Sequence, residues 1–321
     1  MTSPRSHKGL FSQDDYLAPP HTPTGQPAKD VLNTIWRKND VYLDIGSYSI
    51  GSAVMVIWPA LLIYLMVGSN TGDLASGDVL YWAMLLLIFG IPILLVLYSL
   101  TQPVPPPVRF NRQRREVCVP QNDGSHWIVP WEQVTAAATS VSSVGQHGKI
   151  THGLLVVGFT NPDPNARPED RDYSISFSCG GGTTAMCLWE CMRSYMEVGP
   201  DAVPLSNDLE NLRENLGNKG PFWGRGGVTT QASKMHIVAG EYGKAIWLLF
   251  TIFAFGGPLI LMLQHWKLAP PPDLTAPDIV EWSKPLPPDQ WAKRSTELER
   301  AIREREAQRA VEAETVWAKK S

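Results

Sequence analysis

The residues best placed to do chemistry fall in one stretch of this 321-residue chain. Arg109, Arg112, Arg114 and Arg115 lie within seven positions of one another. Such a run either anchors the flank of a membrane span or contacts anionic headgroups, where each cation is worth about 1 kcal/mol. Both roles stay open. Trp131 and Glu132 follow in a Pro-Trp-Glu step and join the arginines as candidates for lipid or partner contact. The remaining signals are bland. Cys118, Cys179, Cys187 and Cys191 make no CxxC pair, and Cys187 and Cys191, four apart, read as small core residues in a reducing compartment. Gly180–Thr184 lacks the lysine and spacing of a phosphate loop and reads as a tight strand-to-helix turn. His147 and His152 have no third ligand in view. No GxSxG, HExxH or Walker pattern occurs, so no catalytic residue, metal or cofactor is expected and the chain reads as non-enzymatic. A net charge of −3 and a pI near 6.2 argue against nucleic acid as a partner.

The elements that must position these residues begin with two apolar runs, Ile50–Gly68 and Val79–Leu100. No charge occurs between Asp44 and Asp73, or between Asp78 and Arg109. About 20 apolar residues at 1.5 Å each cross a hydrocarbon core of about 30 Å, so residues 49–100 read as a transmembrane hairpin. Pro59 and Pro92 should kink its helices, yet neither span holds an ionisable group, which weakens a carrier reading. The turn Ser69–Asp78 carries two acids and no cation, while the arginine run follows the second span. The positive-inside rule then places the N-terminus and residues 101–244 in the cytoplasm. A third run, Ala245–Leu263, is broken by Gly256, Gly257 and Pro258. It reads as a kinked third span that sends the tail into the periplasm, with a re-entrant hairpin as the alternative.

Around the membrane part the text is polar. Residues 1–48 read as an N-terminal region lacking a cleavable signal, mostly disordered to Asp30, with a short amphipathic turn at Val31–Arg37. Residues 101–108 form a proline-rich spacer. Strand-like stretches follow at Arg109–Pro120, Ser125–Val134, Ala136–Val144, Ile150–Thr160 and Tyr173–Cys179, separated by the QNDG turn and the polar loop Asn161–Asp172. An amphipathic helix at Thr183–Val198 closes the domain. The fold class expected is therefore a three-span α-helical membrane part plus an α+β cytoplasmic domain over 109–199, a small antiparallel barrel closed by its C-terminal helix. Residues 200–244 form a connector with a helix at Ser206–Gly217, 264–288 a second proline-rich linker, and 289–321 a charged, solvated helix.

Arg109–Arg112 (Arg-Phe-Asn-Arg) and Pro130–Glu132 (Pro-Trp-Glu), set after a transmembrane hairpin, resemble a family of uncharacterised membrane proteins of Gram-negative bacteria, often encoded beside type VI secretion genes. The strand pattern and closing helix likewise resemble a bacterial pleckstrin-homology-like domain. The resemblance implies an inner-membrane interaction protein, an immunity or accessory factor of a type VI toxin, whose partner is a toxin or secretion component. The alternative it leaves is a lipid-sensing or scaffold protein acting through the basic first strand, with membrane lipids as its ligand.

Overall fold

Two strands that the linear sequence separates by the whole transmembrane hairpin lie side by side. Tyr42–Ile45 pairs antiparallel with Val108–Asn111, with Leu43 opposite Phe110 and Asp44 opposite Arg109. In this computed structural model the described residues are 6–8, 12–17, 23–30, 34–46, 48, 51–121, 123–145, 148–180, 184–204, 242–268, 270–304 and 306–307. They form two compact units, one of residues 1–47, 106–206 and 273–321, the other of 48–105 and 207–272.

Among the described residues the first unit holds ten strands. β1 (Ser6–Lys8), β2 (Ser12–Tyr16), β3 (Ile35–Lys38) and β4 (Tyr42–Ile45) precede the hairpin. β5 (Val108–Asn111), β6 (Glu116–Pro120), β7 (His126–Pro130), β8 (Thr135–Gly145), β9 (Gly148–Thr160) and β10 (Asp172–Gly180) follow it. They build two five-stranded antiparallel sheets, ordered β3-β4-β5-β6-β7 and β1-β2-β8-β9-β10. No closed barrel forms among the described residues, contrary to the sequence expectation. The strands instead divide at Pro130, where the 3₁₀ turn Trp131–Gln133 carries the chain from β7 in one sheet to β8 in the other.

A single core joins the sheets. Leu43, Phe110, Val117, Val129 and Trp131 from the first meet Leu155, Val157 and Phe177 from the second, and all pack with Leu188, Trp189 and Met192 of the helix Thr184–Glu197. That helix is expected from sequence, because its apolar residues recur at helical spacing. What the sequence did not disclose is the reach of the unit. Residues expected to be disordered supply β1 and β2, and β2 lines up on β8 (Asp14 opposite Thr139) through backbone pairing that leaves no apolar pattern. Of Val31–Arg37, expected as an amphipathic turn, residues 31–33 lie outside the described residues and Ile35–Arg37 belong to the strand β3. Arg109–Pro120 is two strands, β5 and β6, joined by a turn at residues 112–115. Residues 23–30 lie along the helix: Lys29 N donates to Cys187 O at 3.2 Å, and Thr24 N and Oγ1 donate to Glu190 at 3.1 and 2.9 Å.

In the second unit, α1 (Gly51–Thr71) and the short turn α2 (Asp73–Ser76) lead into α3 (Val79–Leu85) and α4 (Ile91–Thr101), joined by a π-helical turn at Leu86–Gly90. The wider turn ends two residues before Pro92, which has no N–H for the regular ladder, whereas α1 runs unbroken through Pro59. Ala53–Thr71 and Val79–Thr101 are each long and apolar enough to cross a membrane. They are clasped by Tyr64 and Tyr81, whose rings stack at 4.8 Å and whose hydroxyls each donate to the other residue's carbonyl, at 2.9 and 3.3 Å. Gly68 makes room for that clasp; a Cβ there would lie 2.3 Å from the Tyr81 ring. With the helix of the first unit numbered α5 (Thr184–Glu197), α6 (Tyr242–Ala254) and α7 (Gly257–Leu268) meet at a 58° bend. Counted as one span, the bent pair would make a third. The helix expected at Ser206–Gly217 lies outside the described residues.

Candidate functional site: an arginine-lined seam

One face of the first sheet carries a cross-strand row. Arg37 of β3 sits opposite Asp44 of β4, Asp44 opposite Arg109 of β5, Arg109 opposite Cys118 of β6, and Cys118 opposite Ile128 of β7. The alternation of β-strands fixes this row, because Leu43, Phe110, Val117 and Val129 point the other way into the core. The row is charged at one end and apolar at the other. Residues 273–298, read from sequence as a proline-rich linker and the start of a solvated helix, are seated across it.

At the charged end, Arg109 donates from Nε to Asp44 Oδ1 at 2.6 Å and from Nη2 to Asp44 Oδ2 at 2.7 Å. Its remaining donors reach the seated segment, at Asp273 Oδ1 (2.7 Å) and Ser283 Oγ (2.9 Å). Tyr42 stacks beneath the guanidinium at 3.8 Å. Burial works against this charge, but the hydrogen bonds and field of Asp44 and the hydrogen bond to Asp273 outweigh it and raise the Arg109 pKa. Burial also pushes the Asp44 carboxyl up, with Arg109 and Arg37 opposing. Burial alone would raise Asp273 too, yet Arg37 and Arg109 hold it below the usual carboxylate range.

At the apolar end, the helix α8 (Pro277–Trp282) places Ile279 and Trp282, with Leu274, against Cys118 and Ile128. Backbone groups stitch the two together: Asn111 Nδ2 and Arg114 Nε both donate to Trp282 O, at 3.1 and 2.9 Å. Leu286 N donates to Gln113 Oε1 at 2.6 Å, and Trp282 Nε1 donates to Glu116 Oε2 at 2.7 Å. A cleft of about 450 Å³ opens beside the segment, lined by Arg114, Asp278, Glu281, Trp282, Lys284 and Leu286.

A second buried node lies at the end of α5. Glu197 accepts from Arg115 Nη2 (2.8 Å), Trp131 Nε1 (2.8 Å) and Arg294 Nε (2.6 Å). Burial would raise the Glu197 carboxyl, but these donors together hold it below the usual range. Glu132 accepts from Ser295 N at 3.0 Å and lies 3.5 Å from Arg115. Arg115 reaches this node from a left-handed backbone, φ 54°. For a non-glycine residue that costs on the order of 1–3 kcal/mol, which its surroundings must offset.

The six residues singled out from sequence thus have distinct places. Arg109, Arg115 and Trp131 are buried, Arg112 and Arg114 half-buried, and Glu132 faces the seated segment. The four arginines do not form one open basic patch. Arg112 lies 5.5 Å over the Trp291 ring and within reach of Val198 O. Sequence reasoning missed Asp44, Glu197, Asp273, Trp282 and Arg294. The one signal available was Asp44 itself, a lone acid in the apolar text YLDI.

The cysteines agree with the core reading. All four are free and buried, and burial pushes Cys118 and Cys191 up to about 12 and Cys179 to about 11, far from a reactive thiolate. No metal-holding group of His, Cys, Asp or Glu occurs among the described residues. Comparison with protein families, characterised proteins and solved structures gave no match.

Proposed function

We propose that this chain is a non-enzymatic interaction protein of the bacterial inner membrane, holding a pleckstrin-homology-like domain at the cytoplasmic face to capture a protein partner. The reading rests first on its two membrane-length helices. The observation that favours a protein partner over the lipid-sensing alternative is the fate of the basic strand. Arg109 and Arg115 are buried against carboxylates, so their charge is already paired and lies out of reach of a headgroup. Among the described residues, open surfaces include the exposed loop between β9 and β10 and the strand β10 itself, which ends its sheet's order and so offers a backbone edge for strand addition.

The backbone runs between the two units four times, since three segments of one alternate with two of the other. A domain tethered this often cannot drift from the bilayer, and anchoring raises its effective concentration toward a membrane-active partner. The family resemblance gives the partner a class: a type VI toxin or secretion component, with immunity as the role. The test is competition between siblings. A strain lacking the gene should be outcompeted by toxin-proficient parents, and a copy with β10 edge changes at Ser174 and Ser176 should fail to rescue it. Survival equal to the parent against every neighbouring toxin would exclude immunity.

A further inference from the structure

We infer that Tyr242–Leu268 does not cross the membrane but enters and leaves the leaflet on the side of the soluble unit, as a bent, in-plane wedge. The inference rests on the membrane reading of α1, α3 and α4 and goes beyond it. Its first support is parity. Residues 1–47, 106–206 and 273–321 belong to one folded body, joined by the Asp44–Arg109, Arg109–Asp273 and Glu197–Arg294 pairs. One body lies on one side of a bilayer, so each stretch that leaves it and returns, 48–105 and 207–272, crosses an even number of times. Residues 48–105 satisfy this with two helices of spanning length; the bent pair, crossing once, would not.

The second support is how α7 lies within its own unit. Gly51 opens α1 and Gln102 follows α4, so both mark the hairpin ends that lead into the soluble unit's strands. Lys267 Nζ donates to Gln102 O at 3.1 Å, and a Cβ on Gly51 would lie 3.2 Å from Ile260. The end of α7 is therefore level with those ends and not with the far turn at Asp73–Ser76. The bend itself packs at Val54 and Trp58: the Trp58 indole donates to Phe253 O at 3.1 Å, and Gly256, at φ 73°, sits against both side chains. Those positions lie only about 5–10 Å along α1 from Gly51, at 1.5 Å per residue.

Size and chemistry fit one leaflet. α6 and α7 have 13 and 12 residues, so each limb is about 20 Å or less, short of the roughly 30 Å core. Ile246, Trp247, Phe250, Phe253 and Trp266 stay exposed, ready for acyl chains. Lys244 and Lys267 stand at the outer ends near Trp247 and Trp266, the residue types that settle at headgroup level. The expected periplasmic tail gives way on this reading, and residues 273–321 share a side with 106–204.

The test uses the full-length protein in native membranes, with single cysteines at Ser76, Asn165 and Lys293 and a membrane-impermeant thiol reagent. The native thiols are buried and give little background. In right-side-out vesicles Ser76→Cys alone should label; in inverted vesicles Asn165→Cys and Lys293→Cys should label together. Labelling of Lys293→Cys from the side of Ser76→Cys overturns the inference. A C-terminal epitope on the otherwise native chain provides a second readout: protease should remove it from the side on which Asn165→Cys labels, and removal from the side of Ser76→Cys likewise overturns it. Swapped labelling of 76 against 165 with 293 still beside 165 would reverse the cytoplasmic assignment above while leaving the wedge intact.

Discussion

Asp44 and Arg109 are 65 positions apart in sequence and direct neighbours across two strands, both nearly inaccessible to water. Removing one member of such a pair leaves the other charge buried and unpaired. Asp44→Asn should therefore cost about 3–5 kcal/mol, read as a lower denaturant midpoint of the detergent-solubilised protein. A change below 1 kcal/mol would mean the guanidinium finds water. Acid should act at two other carboxylates. Glu197 and Asp273 have folded pKa values held below those of the unfolded chain, which lie near 4. Their contribution is present above that value and fades as pH falls through the folded ones. The midpoint should thus be flat from about pH 7 to 5 and drop below about pH 4; a flat profile down to pH 3 would disconnect these carboxylates from stability. At this scale the sequence was a partial guide. It marked the arginines, Trp131 and Glu132 but not their partners, because a cross-strand pair spanning an inserted hairpin leaves no local spacing to read.

The elements that could be read were those with their own periodicity. Both long apolar helices and the amphipathic α5 were legible, as were β6 to β10, where turn residues punctuate apolar text. Leu188 of α5 is fully buried in the common core with Trp131 and Met192, so Leu188→Ala should cost about 2–5 kcal/mol, and a neutral result would contradict that core. The elements that escaped were short, polar or proline-rich. β1 and β2 hold their place by backbone pairing, and 273–298 is held by contacts to another strand's outer face. Nothing in their composition announces a docking partner. The distinction has a direct test. A fragment limited to 109–199 leaves β5 without its β4 neighbour and Arg109 without Asp44; it should be insoluble or molten by near-UV circular dichroism. A chain joining 23–46, 106–204 and 270–298 through short linkers should give a cooperative unfolding transition. Equal behaviour of the two fragments would make the added segments dispensable.

Over the whole molecule, the strand-rich unit is assembled from three stretches of chain and the apolar unit from two. This arrangement sets an order of events during synthesis. The strand Tyr42–Ile45 leaves the ribosome before the hairpin and must wait, with only β3 beside it, while both apolar helices are made, before Val108–Asn111 arrives to meet it. Cys118 and Ile128 then wait for Ile279 and Trp282, some 150 residues later; at about 5–20 residues per second that is on the order of 8–30 seconds. Throughout this interval a nascent apolar face and a buried-to-be arginine stand in water. Ribosome pausing or a scarcity of chaperones between those two points is where production of this protein should be most vulnerable.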